Sequence, residues 1–93
     1  MHSHPVSSSL AIPTLSTDEL RKEFLVTGLF REGEANFRYW ETDRTILGGI
    51  VPAGAAIPLP NPPEVRSACF LERREAGIIN LGGAGDIVVD GVN

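Results

Sequence analysis

The Asp90-Gly91 pair near the last residue is the feature that most constrains what this chain can fold into. An Asp-Gly pair after a β-branched run is typical of a tight hairpin turn, and residues 86–89 are predicted as the strand that enters it. Only Val92 and Asn93 follow, so the returning strand is missing. Because a strand without its neighbour keeps unpaired backbone groups, we expect the chain to be truncated relative to a longer β protein.

Side-chain alternation with a period of two predicts further strands around a proline-rich loop. Residues 52–63 are predicted as that loop, because proline cannot donate the hydrogen bonds of a central strand. The Gly48-Gly49 pair indicates a bulge or a close approach of another backbone segment. The strands predicted before the hairpin cover residues 36–43, 45–51, 65–71 and 77–81.

One short helix is predicted, over residues 16–27. Ser16 and Glu19 have the spacing of a capping box, in which each side chain satisfies a free amide of the first turn. Gly28 is suited to end the helix in a left-handed conformation. The sequence therefore predicts a mainly β chain with one short N-terminal helix.

Residues 1–15 are predicted as a flexible N-terminal arm, which leaves residues 16–93 as the β domain. The arm carries both histidines of the chain, His2 and His4. A zinc site needs about four ligands held in fixed geometry, and two histidines on an arm do not supply them. We interpret both as solvated arm residues and expect no bound metal in this chain.

Charge and cysteine content exclude several classes of partner. Eight basic and twelve acidic residues give a net charge of −4, without the sustained positive surface that nucleic acid or an anionic membrane requires. Cys69 is the only cysteine, so no disulfide forms within the chain, and no histidine lies near it in sequence. We expect a buried, inert thiol. The chain shows no signal peptide or membrane span, which favours the cytoplasm.

The glycine-rich segment 82–85 has the composition of a phosphate-binding loop. Such a loop needs a helix directly after it, so that the amides of the helix N-terminus face the phosphate. The residues that follow, 86–89, are predicted as a strand instead. The segment is therefore interpreted as a turn.

Four consecutive charges at residues 72–75 follow an apolar segment and allow two interpretations. The favoured one is a polar turn with exposed salt bridges, which contribute little to stability. The alternative is a substrate-binding site in which Arg73 or Arg74, beside Glu72, meets a substrate carboxylate in a bidentate contact. These three residues are the candidate site; the sequence points to no catalytic residue.

From Leu20 onward the chain resembles the N-terminal half of the 5-keto-4-deoxyuronate isomerases (5-dehydro-4-deoxy-D-glucuronate isomerases). The most specific match runs from Phe70 through Glu75 to the glycine-rich segment 82–85 and Asp90-Gly91. Earlier matches are Leu20-Arg21, Glu23-Phe24-Leu25-Val26, Asp43-Arg44, Gly48-Gly49-Ile50 and Pro52. Residues 1–15 match loosely, and residues 55–63 differ from the family pattern.

The resemblance implies a cupin-like fold, a double-stranded β-helix of the jelly-roll type. It implies interconversion of 5-dehydro-4-deoxy-D-glucuronate and 3-deoxy-D-glycero-2,5-hexodiulosonate during the breakdown of pectin and related uronate polymers. It also implies a homo-oligomer at full length, a small sugar acid as the substrate, and a zinc ion held by histidine and glutamate in the C-terminal half.

Where a metal cupin carries its His-x-His pair, this chain has Cys69-Phe70-Leu71. The resemblance therefore implies that this half is metal-free and that the chain alone is inactive. The alternative function is a non-catalytic cupin-like module with a structural or sugar-binding role.

Overall fold

The computed structural model describes residues 1–41 and 43–93. In this part the chain forms a three-stranded sheet and a single α-helix, which confirms a small β-rich fold with one helix near the N-terminus. The elements in chain order are β1 (His2–His4), the 3-10 helix η1 (Ile12–Thr14), α1 (Thr17–Phe24), β2 (Ala35–Trp40), β3 (Thr45–Ile50) and the 3-10 helix η2 (Pro63–Val65).

The sheet has the order β1-β2-β3. Strands β2 and β3 pair antiparallel from Ala35 opposite Ile50 to Trp40 opposite Thr45, which confirms the first two predicted strands to within three residues of their bounds. Thr42, at the end of the first of these predictions, lies outside the described residues. The connection between the strands uses Arg44 at φ +51°, a left-handed conformation typical of tight turns.

The segment predicted as an arm contributes the third strand. Strand β1 pairs parallel with β2, with His4 opposite Trp40. This pairing joins residues that are far apart in sequence, so no local pattern in residues 1–15 announces it.

The Gly48-Gly49 pair marks a close approach of backbone, as predicted, but no bulge. Both glycines keep the regular register, Gly48 opposite Phe37 and Gly49 opposite Asn36. A Cβ atom at Gly49 would lie 2.8 Å from the carbonyl oxygen of Leu29. The missing side chain therefore makes room for the loop that precedes β2.

Helix α1 confirms one half of the predicted capping box, because Ser16 caps the Glu19 amide while the Glu19 carboxylate contacts the Ser16 hydroxyl and not its amide. The helix also ends earlier than predicted. The Glu19 amide donates to Ser16 Oγ at 3.2 Å, and Ser16 Oγ donates to the Glu19 carboxylate at 3.1 Å. Leu25 is already extended, at φ −95° and ψ 117°, because the β-branched residues that follow at 26 and 27 disfavour helix. Gly28, at φ +73°, therefore lies in the following loop, and its prediction as the helix cap is wrong.

The strands predicted at residues 65–71, 77–81 and 86–89 are wrong. No strand forms after Ile50 in the described chain; residues 63–65 form η2, and residues 70–73 form a turn. The tight turn at Asp90-Gly91 is confirmed, since both residues have positive φ, +50° and +78°, as in a type I′ hairpin turn. Its only paired residues are Val89 and Val92, joined by two hydrogen bonds of 2.9 Å.

The apolar core is thin, as expected for so short a chain. Among the described apolar side chains, only Val65 is buried, with 8% of its surface exposed. The rings of Phe37 on β2 and Phe70 pack against each other with centroids 5.4 Å apart. Through this pair the turn at residues 70–73 is attached to the sheet.

Candidate functional site

The three predicted substrate-binding residues lie at the turn after η2, and each side chain has a different environment. The Glu72 carboxylate accepts a hydrogen bond of 2.6 Å from the Ala68 amide, and the Glu72 amide donates to the Cys69 carbonyl. Glu72 thus closes its own turn. Its carboxylate is engaged with backbone and does not face the two arginines as a partner.

Arg74 connects the turn to the corner between β2 and β3. Its Nη1 donates to the carbonyl of Arg44 at 2.9 Å, and its guanidinium carbon lies 5.9 Å from the centre of the Tyr39 ring. The second contact is a cation–π interaction, worth about 0.5–1 kcal/mol at an exposed site. Arg74 is half-buried by these contacts and has a structural role at the sheet corner.

Arg73 is exposed between these two anchored neighbours. Its guanidinium makes no hydrogen bond or ion pair with any residue that the structure describes, so its five donors are open to an incoming carboxylate. The structure therefore does not bring Glu72, Arg73 and Arg74 together as one site. The polar turn is as predicted, but it is held by backbone contacts, and the described residues form no salt bridge at its rim.

The residues before the turn correct a second expectation. Cys69 is exposed, so the prediction of a buried thiol is wrong. The cause is local: residues 67–69 bend along the surface instead of forming a strand, and Ser67 Oγ donates to the Cys69 carbonyl at 2.8 Å.

A cluster that sequence reasoning missed holds the N-terminal strand in place; we call His4, Ser7, Glu23 and Trp40 the N-terminal clasp. The His4 ring stacks on the Trp40 indole with centroids 4.4 Å apart and planes 14° apart. His4 Nε2 also contacts the Glu23 carbonyl, while the Ser7 amide and hydroxyl donate to the Glu23 carboxylate at 3.0 and 2.5 Å. The interpretation of His4 as a solvated arm residue is therefore wrong. The side chain of His2 lies outside the described part.

The clasp makes one pH-dependent prediction. The side-chain hydrogen bond from Ser7, then its backbone hydrogen bond and the charge of His4, lower the pKa of Glu23. A carboxyl whose folded pKa is depressed contributes stability above its unfolded pKa of about 4.3 and loses it as pH falls through the folded pKa. Ser7→Ala should raise that folded pKa, so the acid transition should move to higher pH. Fluorescence of Trp40, the only tryptophan, measured from pH 7 to 2.5 reports the transition.

The matched control is Ser9→Ala, which changes an exposed serine of the same segment that has no described hydrogen bond. Its acid transition should coincide with that of the unchanged chain. Equal midpoints for Ser7→Ala and the unchanged chain would contradict the role assigned to the clasp.

Two clefts lie beside the sheet, and none of the three predicted site residues lines either of them. The larger, of about 310 Å³, lies between β2 and Pro60 and Pro62 of the proline-rich loop. The smaller, of about 200 Å³, lies between Phe24 of α1 and the β2–β3 corner.

The described residues do not fit a zinc ion. Nowhere among them do three side chains of histidine, cysteine, aspartate or glutamate come together. His4 is already engaged with Trp40 and Glu23. Within the same residues, no helix is long and apolar enough to span a membrane.

Sequence comparison finds that the chain is similar to one part of several sugar-acid isomerases. A protein of Kineococcus radiotolerans is 48% identical over 91 residues, which make up 98% of this chain and 33% of that protein. A protein of Halalkalibacterium halodurans is 41% identical over 98% of this chain and 33% of its own length. A protein of Caldicellulosiruptor bescii is 44% identical over 83% of this chain and 28% of its own length.

Each of these relatives is a 4-deoxy-L-threo-5-hexosulose-uronate ketol-isomerase. The resemblance to the 5-keto-4-deoxyuronate isomerases is therefore confirmed. The chain spans about a third of the length of the relatives it matches. No protein-family model matches the chain, and no solved structure does.

Proposed function

We propose that this chain is the N-terminal part of a cytoplasmic ketol-isomerase that interconverts 5-dehydro-4-deoxy-D-glucuronate and 3-deoxy-D-glycero-2,5-hexodiulosonate in uronate breakdown. The observation that carries the proposal is the 48% identity to the Kineococcus isomerase across nearly the whole chain. An identity that extends through helix, sheet and turns supports a shared fold as well as a shared motif.

The reaction moves a hydrogen between adjacent carbons, which requires a positioned base and a group that stabilises the charge on the oxygens. Two of the three predicted site residues are already engaged with backbone, Glu72 with the Ala68 amide and Arg74 with the Arg44 carbonyl, so they do not supply such a pair. We therefore assign the proton transfer, and the zinc expected in this family, to the two thirds of the isomerase that this chain does not span. In this proposal the present residues are a scaffold, and Arg73 alone among them contacts the substrate.

The proposal includes a cupin-like fold and a homo-oligomer for the full-length enzyme. The antiparallel β2–β3 pair and the type I′ turn at Asp90-Gly91 support a β-sandwich, since such folds are built from hairpins. A non-catalytic cupin-like module is the second candidate. The separation of Glu72, Arg73 and Arg74 favours it, since they form no common site.

The test replaces the aligned third of the Kineococcus isomerase by this chain. The resulting chimera should convert 5-dehydro-4-deoxy-D-glucuronate with a kcat/KM within about tenfold of the parent, a loss of about 1.4 kcal/mol in transition-state binding at most. The rate is followed by consumption of the aldehyde and compared with that of the parent. A folded chimera without turnover would contradict the isomerase proposal and favour the second candidate, the non-catalytic cupin-like module.

Arg73 is the side chain that we propose to contact the sugar-acid carboxylate. In the chimera, Arg73→Gln should raise KM by at least about tenfold, because a charge-assisted bidentate contact contributes about 1.5–3 kcal/mol. Arg21→Gln, a change of an exposed arginine on α1, is the matched control and should leave KM unchanged. Equal KM values for the two variants would remove Arg73 from the substrate site.

A further inference from the structure

The last part of the described chain exposes an unusual amount of aliphatic surface. We call residues 78–92 the apolar ribbon. Its seven large aliphatic side chains are all more than half exposed, from 55% at Ile87 to 84% at Ile79. They are Ile78, Ile79, Leu81, Ile87, Val88, Val89 and Val92. So dense a row of exposed aliphatic residues is typical of a surface that another chain segment covers.

The backbone of the ribbon is equally without neighbours. Asn80 forms a local turn, accepting from the Gly82 amide and donating to the Gly83 carbonyl, and Val89 pairs with Val92 across the hairpin. Apart from these contacts, its residues make no backbone hydrogen bond to another described residue. The ribbon thus has the turns and the β-branched residues of a sheet, but no adjacent strand.

The length of the relatives points to an occupant for this surface. The Kineococcus isomerase aligns with 98% of this chain, ribbon included, and has about two thirds of its length outside the alignment. A second copy of this chain is a poorer occupant. If two ribbons paired antiparallel about Val88, Asp86 of each copy would face Asp90 of the other, and like charges directly opposite destabilise a sheet.

We propose that the apolar ribbon is the docking face for the remaining two thirds of the isomerase polypeptide, which adds strands along residues 86–89 and covers the aliphatic side chains. The inference rests on the proposed relationship to the isomerases but not on catalysis by them. Docking converts free backbone groups into ladder hydrogen bonds and removes apolar surface from water, at about 25 cal/mol per Å².

Hydrogen exchange tests the proposal on the 93-residue chain and on the chimera with the Kineococcus isomerase. Amides of residues 86–89 should exchange rapidly in the chain alone and at least about a hundredfold more slowly in the chimera, because docking buries them in a ladder. Ile79→Asp and Val88→Asp should each lower the Tm of the chimera by about 5 °C or more. Leu10→Asp changes a side chain that is 89% exposed outside the ribbon, and it should leave that Tm unchanged.

Three results would overturn the proposal. One is a folded chimera in which residues 86–89 exchange as fast as in the chain alone. Another is a dimer of the 93-residue chain, seen by sedimentation velocity, whose ribbon is already protected. The third is a chimera that fails to fold where the parent isomerase folds, since a native docking face should accept a partner from a 48% identical relative. A chimera with a protected ribbon but no turnover would contradict the proposed function alone.

Discussion

Replacing Gly49 by alanine is expected to destabilise the chain by about 2 kcal/mol. A Cβ atom there would lie 2.8 Å from the Leu29 carbonyl oxygen and 2.9 Å from its carbonyl carbon, and backbone atoms cannot rotate away as a side chain can. The loop before β2 must shift, which also loosens the hydrogen bond from Asn36 to the Leu29 carbonyl. Overpacking of this kind costs about 1–3 kcal/mol. Urea denaturation followed by Trp40 fluorescence measures the effect.

Gly77→Ala is the matched control, because nothing lies within 4 Å of the Cβ position at Gly77. It should leave the midpoint unchanged or raise it slightly, since alanine loses less backbone entropy than glycine. Gly48→Ala should fall between the two, because its new Cβ meets the Phe37 ring, which can move at the expense of its contact with Phe70. A Gly49→Ala chain as stable as the Gly77→Ala chain would show that the Leu29 loop does not pack as described.

The 93-residue chain alone is expected to show no isomerase turnover above the uncatalysed rate. Glu72 and Arg74 are engaged with backbone groups, and the described residues contain no set of three metal ligands. A positioned acid or base alone contributes about 10²–10⁴ in rate. Incubation of the purified chain with 5-dehydro-4-deoxy-D-glucuronate, beside the chimera at equal concentration, measures the difference. The chimera should be faster by at least about a thousandfold.

Turnover by the 93-residue chain that survives a metal chelator and disappears on Glu72→Gln or Arg73→Gln would show that the active site lies in this chain. Turnover that the chelator abolishes would instead indicate metal bound by a contaminant or by ligands supplied from several copies, and metal analysis of the purified chain separates these two sources.

Local chemistry explains the predictions that the structure confirmed. The Ser16 cap on the Glu19 amide depends on atoms three residues apart, and the turn at Asp90-Gly91 depends on the ease with which these two residues adopt positive φ. The period-two alternation of side chains also predicted β2 and β3 correctly, because a short turn joins the two strands and makes them neighbours. Helix α1 ends before Gly28 because the β-branched residues at 26 and 27 favour extended backbone.

The candidate site was predictable only in part. A polar turn at residues 72–75 follows from its four charges, and the turn is present. Adjacent residues do not indicate that Arg74 is anchored to the sheet while Arg73 is exposed. The partners of Arg74 are distant in sequence: the Arg44 carbonyl, thirty residues earlier, and the Tyr39 ring. The relationship to the isomerases, by contrast, is carried by residue identity and needed no structure.

Segments such as 77–81 have strand-forming residues, yet they form no strand in the described fold, because a strand exists only as one side of a ladder. Sequence composition supplies the propensity for that ladder and tertiary structure supplies the partner. The same reason explains β1: nothing in residues 2–4 indicates that His4 stacks on Trp40, because the contact joins residues thirty-six positions apart. Turns, the helix cap and the β2–β3 hairpin were thus encoded locally, whereas the pairing of β1, the clasp and the anchoring of Arg74 were decided by long-range packing.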